Sequence, residues 1–389
     1  MQWDVIIIGA GAAGLMAAIT AARRGRRVLL LEHQAKPGRK ILISGGGRCN
    51  FTNLYASPEN YLSQNPHFCK SALARYTPGD FIAWIEAHGI PYHEKKLGQL
   101  FCDRSASDIL EMLLSEAAQA GVKIHTGVRV HSLRKTEVFV LETAHETLLA
   151  DKVILATGGL SIPKVGASDL GYRLAKFFGH RMVSPEPGLV PLIFSEAQMA
   201  FAELRGLALD TRVTLPEINF RENALFTHQG LSGPAILQIS SYWKAGEVLE
   251  INFLPDLDLA HLFEAWVQEK QPAQVTSLLD AYLPRRFVRF WSEKYFPAKP
   301  AFRFDPAEKQ ALFQALQAWQ MLPAKTAGYS KAEVTTGGLD TAQVSSKTLE
   351  SRLVPGLYFV GELLDVTGWL GGYNFQWAWA SGHAAGQAV

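Results

Sequence analysis

The chain has 389 residues, of which 48% are hydrophobic and 19% are charged. This balance excludes an intrinsically disordered protein and, at roughly 150 residues per domain, predicts two or three domains. The 38 basic and 36 acidic side chains leave a net charge of +2, which neither requires nor excludes a nucleic-acid partner. Three cysteines without a C-x-x-C pair argue against a disulfide framework and a dithiol redox pair, and they suit a reducing cytoplasm.

The first predicted elements form a β-α-β unit. Trp3–Ile8 has the pattern of a buried parallel strand, Ala12–Arg24 that of an alanine-rich helix, and Arg27–Leu31 that of a second strand. The uncharged stretch Val5–Ala22 is long enough to resemble a membrane span. Its glycines and the absence of a preceding basic segment instead favour a strand, a turn and a helix, without a signal peptide.

The middle of the first half alternates between helical and strand patterns. A glycine-rich loop covers Pro37–Asn53. The last apolar strand before the insert ends abruptly at Thr157. The predicted helices are Pro78–His88, Ser105–Ala120 and Asp169–Phe178. The predicted strands are Val122–Arg134, Val138–Leu149 and Val153–Ala156.

Composition shifts at Pro185, and as far as about Pro323 the chain is rich in proline, aromatic residues and short alternating runs. The β/α pattern then returns with a strand over Gly356–Val360 and a helix over Asn374–Gln387. A nucleotide-binding fold that is interrupted and later completed is typical of two-segment flavin domains. We therefore predict an α/β fold with a first Rossmann-like segment at 1–187, an insert at 188–325 and a second segment at 326–389.

The strongest local signal is Gly9-x-Gly11-x-x-Gly14, with Glu32 at the end of the second strand. In such motifs the first glycine permits a tight turn, the second lets backbone amides approach a pyrophosphate, and the third allows close helix packing. The helix N-terminus attracts the phosphates, and the acidic residue accepts from ribose hydroxyls. The motif predicts a site for either NAD or FAD.

Three further features favour FAD. A basic glycine loop covers 39–48, the strand ending in Ala156–Gly159 resembles a flavoprotein turn, and Gly361-Glu362 leads into Gly371–Asn374 and a helix. The N-terminus of that helix would stabilise negative charge on the isoalloxazine. Because no second G-x-G-x-x-G motif is present, a nicotinamide donor would bind only transiently at the flavin face.

Three runs closely resemble the bacterial YhiN/BaiN-type flavoproteins, also labelled aminoacetone oxidase family proteins: GRKILISGGGRCNFTN (38–53), LFTHQGLSGPAIL (225–237) and the run from EVTTGGLD to GGYNFQWAWASGHAAGQ (333–387). The resemblance spans the chain. It implies an FAD-dependent oxidoreductase with a two-segment FAD domain of the glutathione-reductase type, an inserted β-barrel and a small helical region. Either Glu362 or Asp365 would serve the ribityl chain, since Glu362 replaces the commoner aspartate. The other implied FAD contacts are Gly9, Gly11, Ala12, Ala13, Gly14, Glu32, Lys40, Gly47, Arg48, Asn50, Gly158, Gly361, Gly372, Asn374, Phe375 and Gln376.

Candidates for proton transfer are few. His228, in a loop of the insert, is either an acid or anion-binding group on the substrate side, or a surface histidine. Cys49, beside Arg48, is either a low-pKa thiol near the isoalloxazine or, as we favour, a small packing residue. Tyr373 is either a donor at the flavin-side turn or an aromatic wall. No metal site is predicted.

The insert also carries basic residues interleaved with aromatic ones. This arrangement suits a structured RNA, through phosphate pairing and base stacking. The alternative, slightly favoured by the sequence alone, is an amphipathic helix with a solvated basic face. The residues are Arg285, Arg286, Phe287, Arg289, Phe290, Trp291, Lys294 and Tyr295.

The resemblance implies a cytoplasmic reductase of an activated C=C bond, with NAD(P)H as transient electron donor and no membrane partner. Two substrate classes are proposed within the family, uridine in ribosomal RNA and steroid-like enones, and the basic insert favours RNA. The alternatives are a small-molecule oxidase or reductase, for example of an amine, and a non-catalytic redox-sensing flavoprotein.

Overall fold

The computed structural model describes residues 2–389. Its strands, in chain order, are β1 Gln2–Ile8, β2 Val28–Glu32, β3 Asn50–Asn53, β4 Tyr61–Leu62, β5 Tyr92–Glu94, β6 Gln99–Cys102, β7 Lys123–Thr126, β8 Val130–Lys135, β9 Phe139–Thr143, β10 Thr147–Leu155, β11 Met182–Gly188, β12 Leu192–Phe194, β13 Ala208–Leu215, β14 Ile218–Phe226, β15 Gly230–Ser232, β16 Leu249–Asn252, β17 Trp319–Met321, β18 Pro323–Thr326, β19 Val334–Leu339, β20 Leu357–Phe359 and β21 Thr367–Gly368. Its α-helices are α1 Ala12–Arg23, α2 Arg39–Ile43, α3 Lys70–Arg75, α4 Pro78–Ala87, α5 Ala106–Gln119, α6 Leu170–Phe177, α7 Pro234–Ser240, α8 Leu259–Gln268, α9 Val275–Leu279, α10 Arg285–Tyr295, α11 Pro306–Gln317 and α12 Tyr373–Ala388.

These elements form two compact units. The first unit comprises 2–187 and 333–389, and the second comprises 188–332. The second unit therefore extends beyond residue 325, where the sequence places the end of the insert. The reason is that β18 pairs with β12 and so belongs to the sheet of the second unit.

The first unit is built on a seven-stranded sheet in the order β7-β2-β1-β10-β9-β8, with β20 also paired to β10. Strands β7, β2, β1, β10 and β20 run parallel. The side chains of 5–7 on β1, 153–155 on β10 and all of β2 and β20 are buried, as expected for a sheet covered on both faces, whereas the edge strand β7 is largely exposed. Because β10 pairs with both β1 and β20, the carboxyl ends of these three strands are neighbours. The glycine motifs that follow them are thereby brought to one edge of the sheet.

Helices α1 and α12 connect the two segments of this unit through small residues. A Cβ added at Gly382 of α12 would lie 2.4 Å from the carbonyl oxygen of Ala13 on α1. One added at Gly386 would lie 2.8 Å from the carbonyl oxygen of Ala17. The backbones of the two helices therefore approach to a distance that a larger side chain would prevent.

The second unit contains a seven-stranded sheet in the order β17-β16-β13-β14-β15-β12-β18. All six strand pairings of this sheet are antiparallel. The two edge strands, β17 and β18, are consecutive in the chain and separated only by Leu322, so the sheet curls until its edges meet. This nearly closed sheet, with helices α8–α11 in the same unit, confirms the predicted inserted barrel and helical region.

Aromatic rings fill the core of the second unit. Phe287 and Trp291 on α10 are stacked with ring centroids 4.4 Å apart, and Trp291 also contacts Phe253 and Trp319 edge-on. The hydrophobic face of α10 is thus directed into the core, as an amphipathic helix requires.

No helix within residues 2–389 is long and apolar enough to cross a membrane. The stretch Val5–Ala22 instead forms most of β1, a turn and most of α1, as predicted.

Trp291→Ala is expected to lower the free energy of unfolding by about 3–5 kcal/mol, because it leaves a large cavity in the aromatic core. It also removes the bond from the indole Nε1 to the Ala315 carbonyl, 2.8 Å long. Denaturant unfolding of the full chain measures the loss. Arg289→Ala, on the exposed face of the same helix, should change stability by less than about 0.5 kcal/mol. Equal losses in the two variants would contradict the assigned orientation of α10.

Candidate cofactor and active site

The turn between β1 and α1 can be built only from glycine at two positions. Gly9 has a φ of +109°, and an added Cβ would lie 2.4 Å from the carbonyl oxygen of Ala156 at the end of β10. A Cβ at Gly14 would lie 1.9 Å from the carbonyl oxygen of Gly9. The start of α1 is therefore pressed against the carboxyl ends of two parallel strands.

Gly11 has the opposite surroundings, because an added Cβ would meet nothing within 4 Å. Helix α1 begins at this residue without a side-chain cap. Its first intrahelical acceptor is the Gly11 carbonyl, which Leu15 N–H uses, so the amides of Ala12, Ala13 and Gly14 have no acceptor within the helix. Free amides, open space and the positive end of the helix dipole together fit a diphosphate.

Glu32 is held at the carboxyl end of β2 by the same turn. Its carboxylate accepts from Ala10 N–H at 2.9 Å and Gln34 N–H at 2.8 Å, and it lies 3.0 Å from His33 Nδ1. Burial raises the pKa of Glu32, but the hydrogen bonds from His33, Gln34 and Ala10 outweigh burial and hold the pKa below its ordinary value. The residue is therefore an ionised acceptor in the position expected to face a ribose.

A charged network joins the other glycine segments. Lys40 Nζ on α2 donates to Glu362 Oε2 at 2.7 Å and to Ser161 Oγ at 2.7 Å, and Glu362 Oε1 accepts from Thr335 N–H at 2.9 Å. Burial raises the pKa of Glu362, but the Lys40 ammonium and these hydrogen bonds outweigh burial and lower the pKa. The network fixes α2 against the turns that follow β10 and β20.

Glu362 and Asp365 have different neighbours. A Cβ added at Gly159 would lie 2.8 Å from Glu362 Oε1, which places this acid beside the turn after β10. Asp365 instead accepts from Gln64 N–H at 2.8 Å, and burial raises its pKa. Of the two acids, the structure places Glu362 at the edge where the dinucleotide motifs meet.

The N-terminus of α12 resembles that of α1. It begins at Gly372, which has a φ of +97° and no side-chain cap, and whose added Cβ would lie 2.2 Å from the Thr52 carbonyl oxygen. The Asn374 side chain bonds the Gly368 backbone at 2.8 Å. The Gln376 side chain bonds Thr52 and Tyr76. Their amide groups are thus engaged within the protein, and contacts to a cofactor here fall to backbone N–H groups.

The two candidate catalytic residues in the first unit are both buried. Cys49 is 0% exposed and burial raises the pKa of its thiol, which favours the packing alternative. Burial also raises the pKa of Tyr373, whose ring packs edge-on against Tyr61 with centroids 6.3 Å apart. Tyr373 therefore has the surroundings of an aromatic wall.

His228 lies in the second unit, in the turn between β14 and β15, and its side chain is exposed. The turn is fixed by Thr227, whose N–H and hydroxyl both bond the Gly230 carbonyl. The role of His228 in proton transfer stays a prediction.

Helix α10 has the amphipathic arrangement that the sequence slightly favoured. Its cations face solvent, while Phe287 and Trp291 are 0% exposed and unavailable for base stacking. The guanidinium of Arg286 bonds the backbone carbonyls of Glu203 and Arg205. The other two arginines have acidic neighbours, Asp280 for Arg285 and Glu293 for Arg289. Two of the four rings in the predicted basic-aromatic RNA surface are therefore part of the core and cannot stack on a base.

Among residues 2–389, no group of three or more His, Cys, Asp or Glu side chains is placed to hold a metal ion. Cys49, Cys69 and Cys102 are buried free thiols.

Comparison with known proteins assigns the fold to a family. The model of the "HI0933-like protein Rossmann domain" matches residues 3–388. The chain belongs to this HI0933-like family. The parallel sheet of the first unit agrees with the Rossmann domain named for the family.

Two curated HI0933-like relatives match almost the full chain. The ribosomal RNA dihydrouridine synthase of Escherichia coli K12 is 50% identical over 99% of this chain and 98% of its own length. The 3-dehydro-bile acid delta(4,6)-reductase of Clostridium scindens is 34% identical over 98% of each chain. Their names and the family confirm the predicted class of enzyme, a flavoprotein oxidoreductase.

A solved structure, Mycobacterium smegmatis Sdh1 in complex with UQ1, has a TM-score of 0.50 at 15% identity and covers 100% of this chain and 68% of that chain. This likeness concerns the fold alone.

Lys40→Met is expected to destabilise the protein by about 2–3 kcal/mol at about pH 7, because it leaves the Glu362 carboxylate without its cation. The loss is below that of a fully buried pair, since the Lys40 side chain is 33% exposed. Lys40 lowers the pKa of Glu362, so the pKa should rise in the variant, and the loss of stability should shrink as the pH falls through the pKa of the unpaired carboxyl.

Urea unfolding at about pH 7 and about pH 5 measures this change. The double variant Lys40→Met/Glu362→Gln, which removes the charge, should recover part of the stability at pH 7. An equal loss for Lys40→Met at both pH values would contradict the assigned role of the pair.

Proposed function

We propose that the first unit binds FAD non-covalently across the edge where β1, β10 and β20 end. The amides of Ala12, Ala13 and Gly14 would bind the pyrophosphate, and Glu32 a ribose. Lys40 and Glu362 would border the middle of the cofactor, and the backbone at the start of α12 would face the flavin end. The support is physical: two glycine-started helices without side-chain caps, and open space at Gly11. The remaining proposed contacts are Gly9, Gly47, Arg48, Asn50, Gly158, Gly361, Gly372, Asn374, Phe375 and Gln376.

We further propose that the protein reduces uridine in ribosomal RNA to dihydrouridine. The observation that carries this proposal is the 50% identity, over 99% of the chain, to a protein named ribosomal RNA dihydrouridine synthase. A second relative with that name, from Haemophilus influenzae, is 45% identical over the same share of the chain. An RNA substrate would place the protein in the cytoplasm with the ribosomes.

FAD, when bound and reduced, supplies hydride equivalents to an activated C=C bond. The residues of the chain have two tasks in this reaction. They hold the uracil ring in reach of the cofactor and exclude water, and they provide a proton for the carbon next to the reduced one. The electron donor is proposed to be NAD(P)H, bound transiently.

A second candidate is a steroid-like enone reductase, because the relative at 34% identity is named for a bile acid reduction. The chemistry is alike, since an enone and a uracil ring both present a C=C bond conjugated to a carbonyl. The two candidates differ in the partner, a small molecule or an RNA.

Ribosomal RNA from a strain lacking this gene should lose a dihydrouridine that the wild-type gene restores. Gly11→Val should fail to restore it and should purify as colourless protein, because the side chain fills the space next to the free amides of α1. Mapping of modified bases and the flavin absorbance are the measurements. Unchanged RNA in the deletion strain would refute the RNA substrate and favour the enone.

His228→Ala should retain FAD while turnover falls by about 10²–10⁴-fold, the usual contribution of a positioned general acid. His261→Ala serves as the control, because His261 is also an exposed histidine of the second unit. If flavin content falls in step with activity, or if both variants behave alike, His228 has no role in proton transfer.

A further inference from the structure

An open hollow of about 300 Å³ lies on the first unit, lined by Gly45, Gly46, Arg48, His93, Lys95 and Phe101. Its volume is at the lower end of the range for ligand sites. One wall is the glycine loop before β3, in which Gly45 and Gly46 have φ values of +57° and +66°. The other wall is the hairpin of β5 and β6. The glycine loop continues into Gly47 and Arg48, two of the proposed FAD contacts, so the hollow borders the proposed cofactor site.

Two cations of the hollow are not neutralised by the protein. Among the described residues, neither Arg48 nor Lys95 forms an ion pair with a carboxylate, and both side chains are exposed. Asp103 pairs with His93 instead, at 2.6 Å. Exposed cations without a partner on a concave surface attract an anionic ligand.

The floor of the hollow is aromatic. The His93 and Phe101 rings are nearly parallel, at 16°, with centroids 6.1 Å apart, and Lys95 Nζ lies 5.5 Å from the centre of the Phe101 ring. Gly45 packs closely on the same ring, since an added Cβ would lie 2.9 Å from Phe101 Cε1. The Phe101 ring is only 8% exposed, so the half-buried His93 ring is the planar group that the hollow offers next to a positive charge. A planar group beside a cation is the combination that suits a base and its phosphate.

A second ring extends this surface along the hairpin. Tyr55 is 66% exposed and lies against Gly98, where an added Cβ would be 2.7 Å from Tyr55 Cδ2. Leu97, at the hairpin tip, is 58% exposed. Large exposed rings and apolar side chains beside cations are typical of surfaces that bind unpaired nucleotides. We call this surface the hairpin face, defined as Arg48, Tyr55, His93, Lys95, Leu97 and Phe101.

We propose that the hairpin face binds the nucleotides of the RNA substrate, with a phosphate at Lys95 and Arg48 and an unpaired base stacked on Tyr55. This inference rests on the proposed RNA function and names the surface that serves it. It differs from a site on α10, where each arginine has a partner within the protein and Phe287 and Trp291 are buried. A nicotinamide dinucleotide, also an anion with planar rings, is the alternative occupant that the test must exclude.

The test uses the full-length FAD-containing protein, a single-stranded oligouridine RNA as binding probe, and ribosomal RNA from the deletion strain as substrate. Tyr55→Ala should weaken oligouridine binding by about five- to a hundredfold, whereas Tyr55→Phe should retain binding because it keeps the ring. Lys95→Glu should weaken binding and lower the salt-dependence slope by about one. Arg289→Glu on α10 is the matched charge reversal, and it should leave RNA binding within about twofold of wild type.

Flavin content and the rate of flavin reduction by NAD(P)H should be unchanged in Tyr55→Ala and Lys95→Glu, while dihydrouridine formation falls. Loss of reduction by NAD(P)H with intact RNA binding would overturn the proposal and assign the hollow to the electron donor. Wild-type RNA binding in both variants would overturn it while leaving the RNA function in place. A wild-type protein that neither binds nor modifies RNA would overturn the proposed function and the hairpin face together.

Discussion

The close approach of backbone to backbone at the start of α1 is the constraint on which the first unit depends. Gly14 touches the Gly9 carbonyl, and Gly382 brings α12 onto the same helix. No side chain separates these elements, so the helix N-terminus lies directly at the ends of the parallel strands. Because α12 comes from the far end of the chain, the same contacts also join the two segments of the unit. The proposed dinucleotide site and a correctly assembled sheet are thus consequences of one set of glycine contacts.

Whether a basic side chain of this protein is available to a ligand depends on its partners in the fold and not on the number of basic residues nearby. The arginines of α10 are the most conspicuous basic group in the sequence, yet their contacts with Asp280, Glu293 and backbone carbonyls use part of their binding capacity. Lys40 is likewise engaged, by Glu362. Lys95 is one positive charge in a less conspicuous segment, but it stands beside a ring and has no carboxylate partner among the described residues. The availability of a cation is a property of the folded chain.

The parts of the fold that local chemistry determines could be predicted from the sequence. The strand, turn and helix at the N-terminus agree with the structure to within a residue or two, because glycine spacing and apolar runs act locally. The end of the insert could not be placed, because it depends on the pairing of β18 with the distant β12. Helix α2 was hidden in a glycine-rich loop, where Gly38 starts it with a φ of +66°. The strands of the β5–β6 hairpin have only three and four residues, which is too short for an alternating pattern to be recognised in the sequence. The hollow beside the hairpin could therefore not be predicted.

The junction at Leu322 affects the tendency of the second unit to aggregate with other proteins in a concentrated solution. A sheet with two free edges presents unpaired N–H and C=O groups that recruit strands from other molecules. Here β17 and β18 are short and joined by a single residue, so the two edges of the sheet lie next to each other. An insertion of this length can therefore be carried in the middle of an enzyme without adding a template for aggregation.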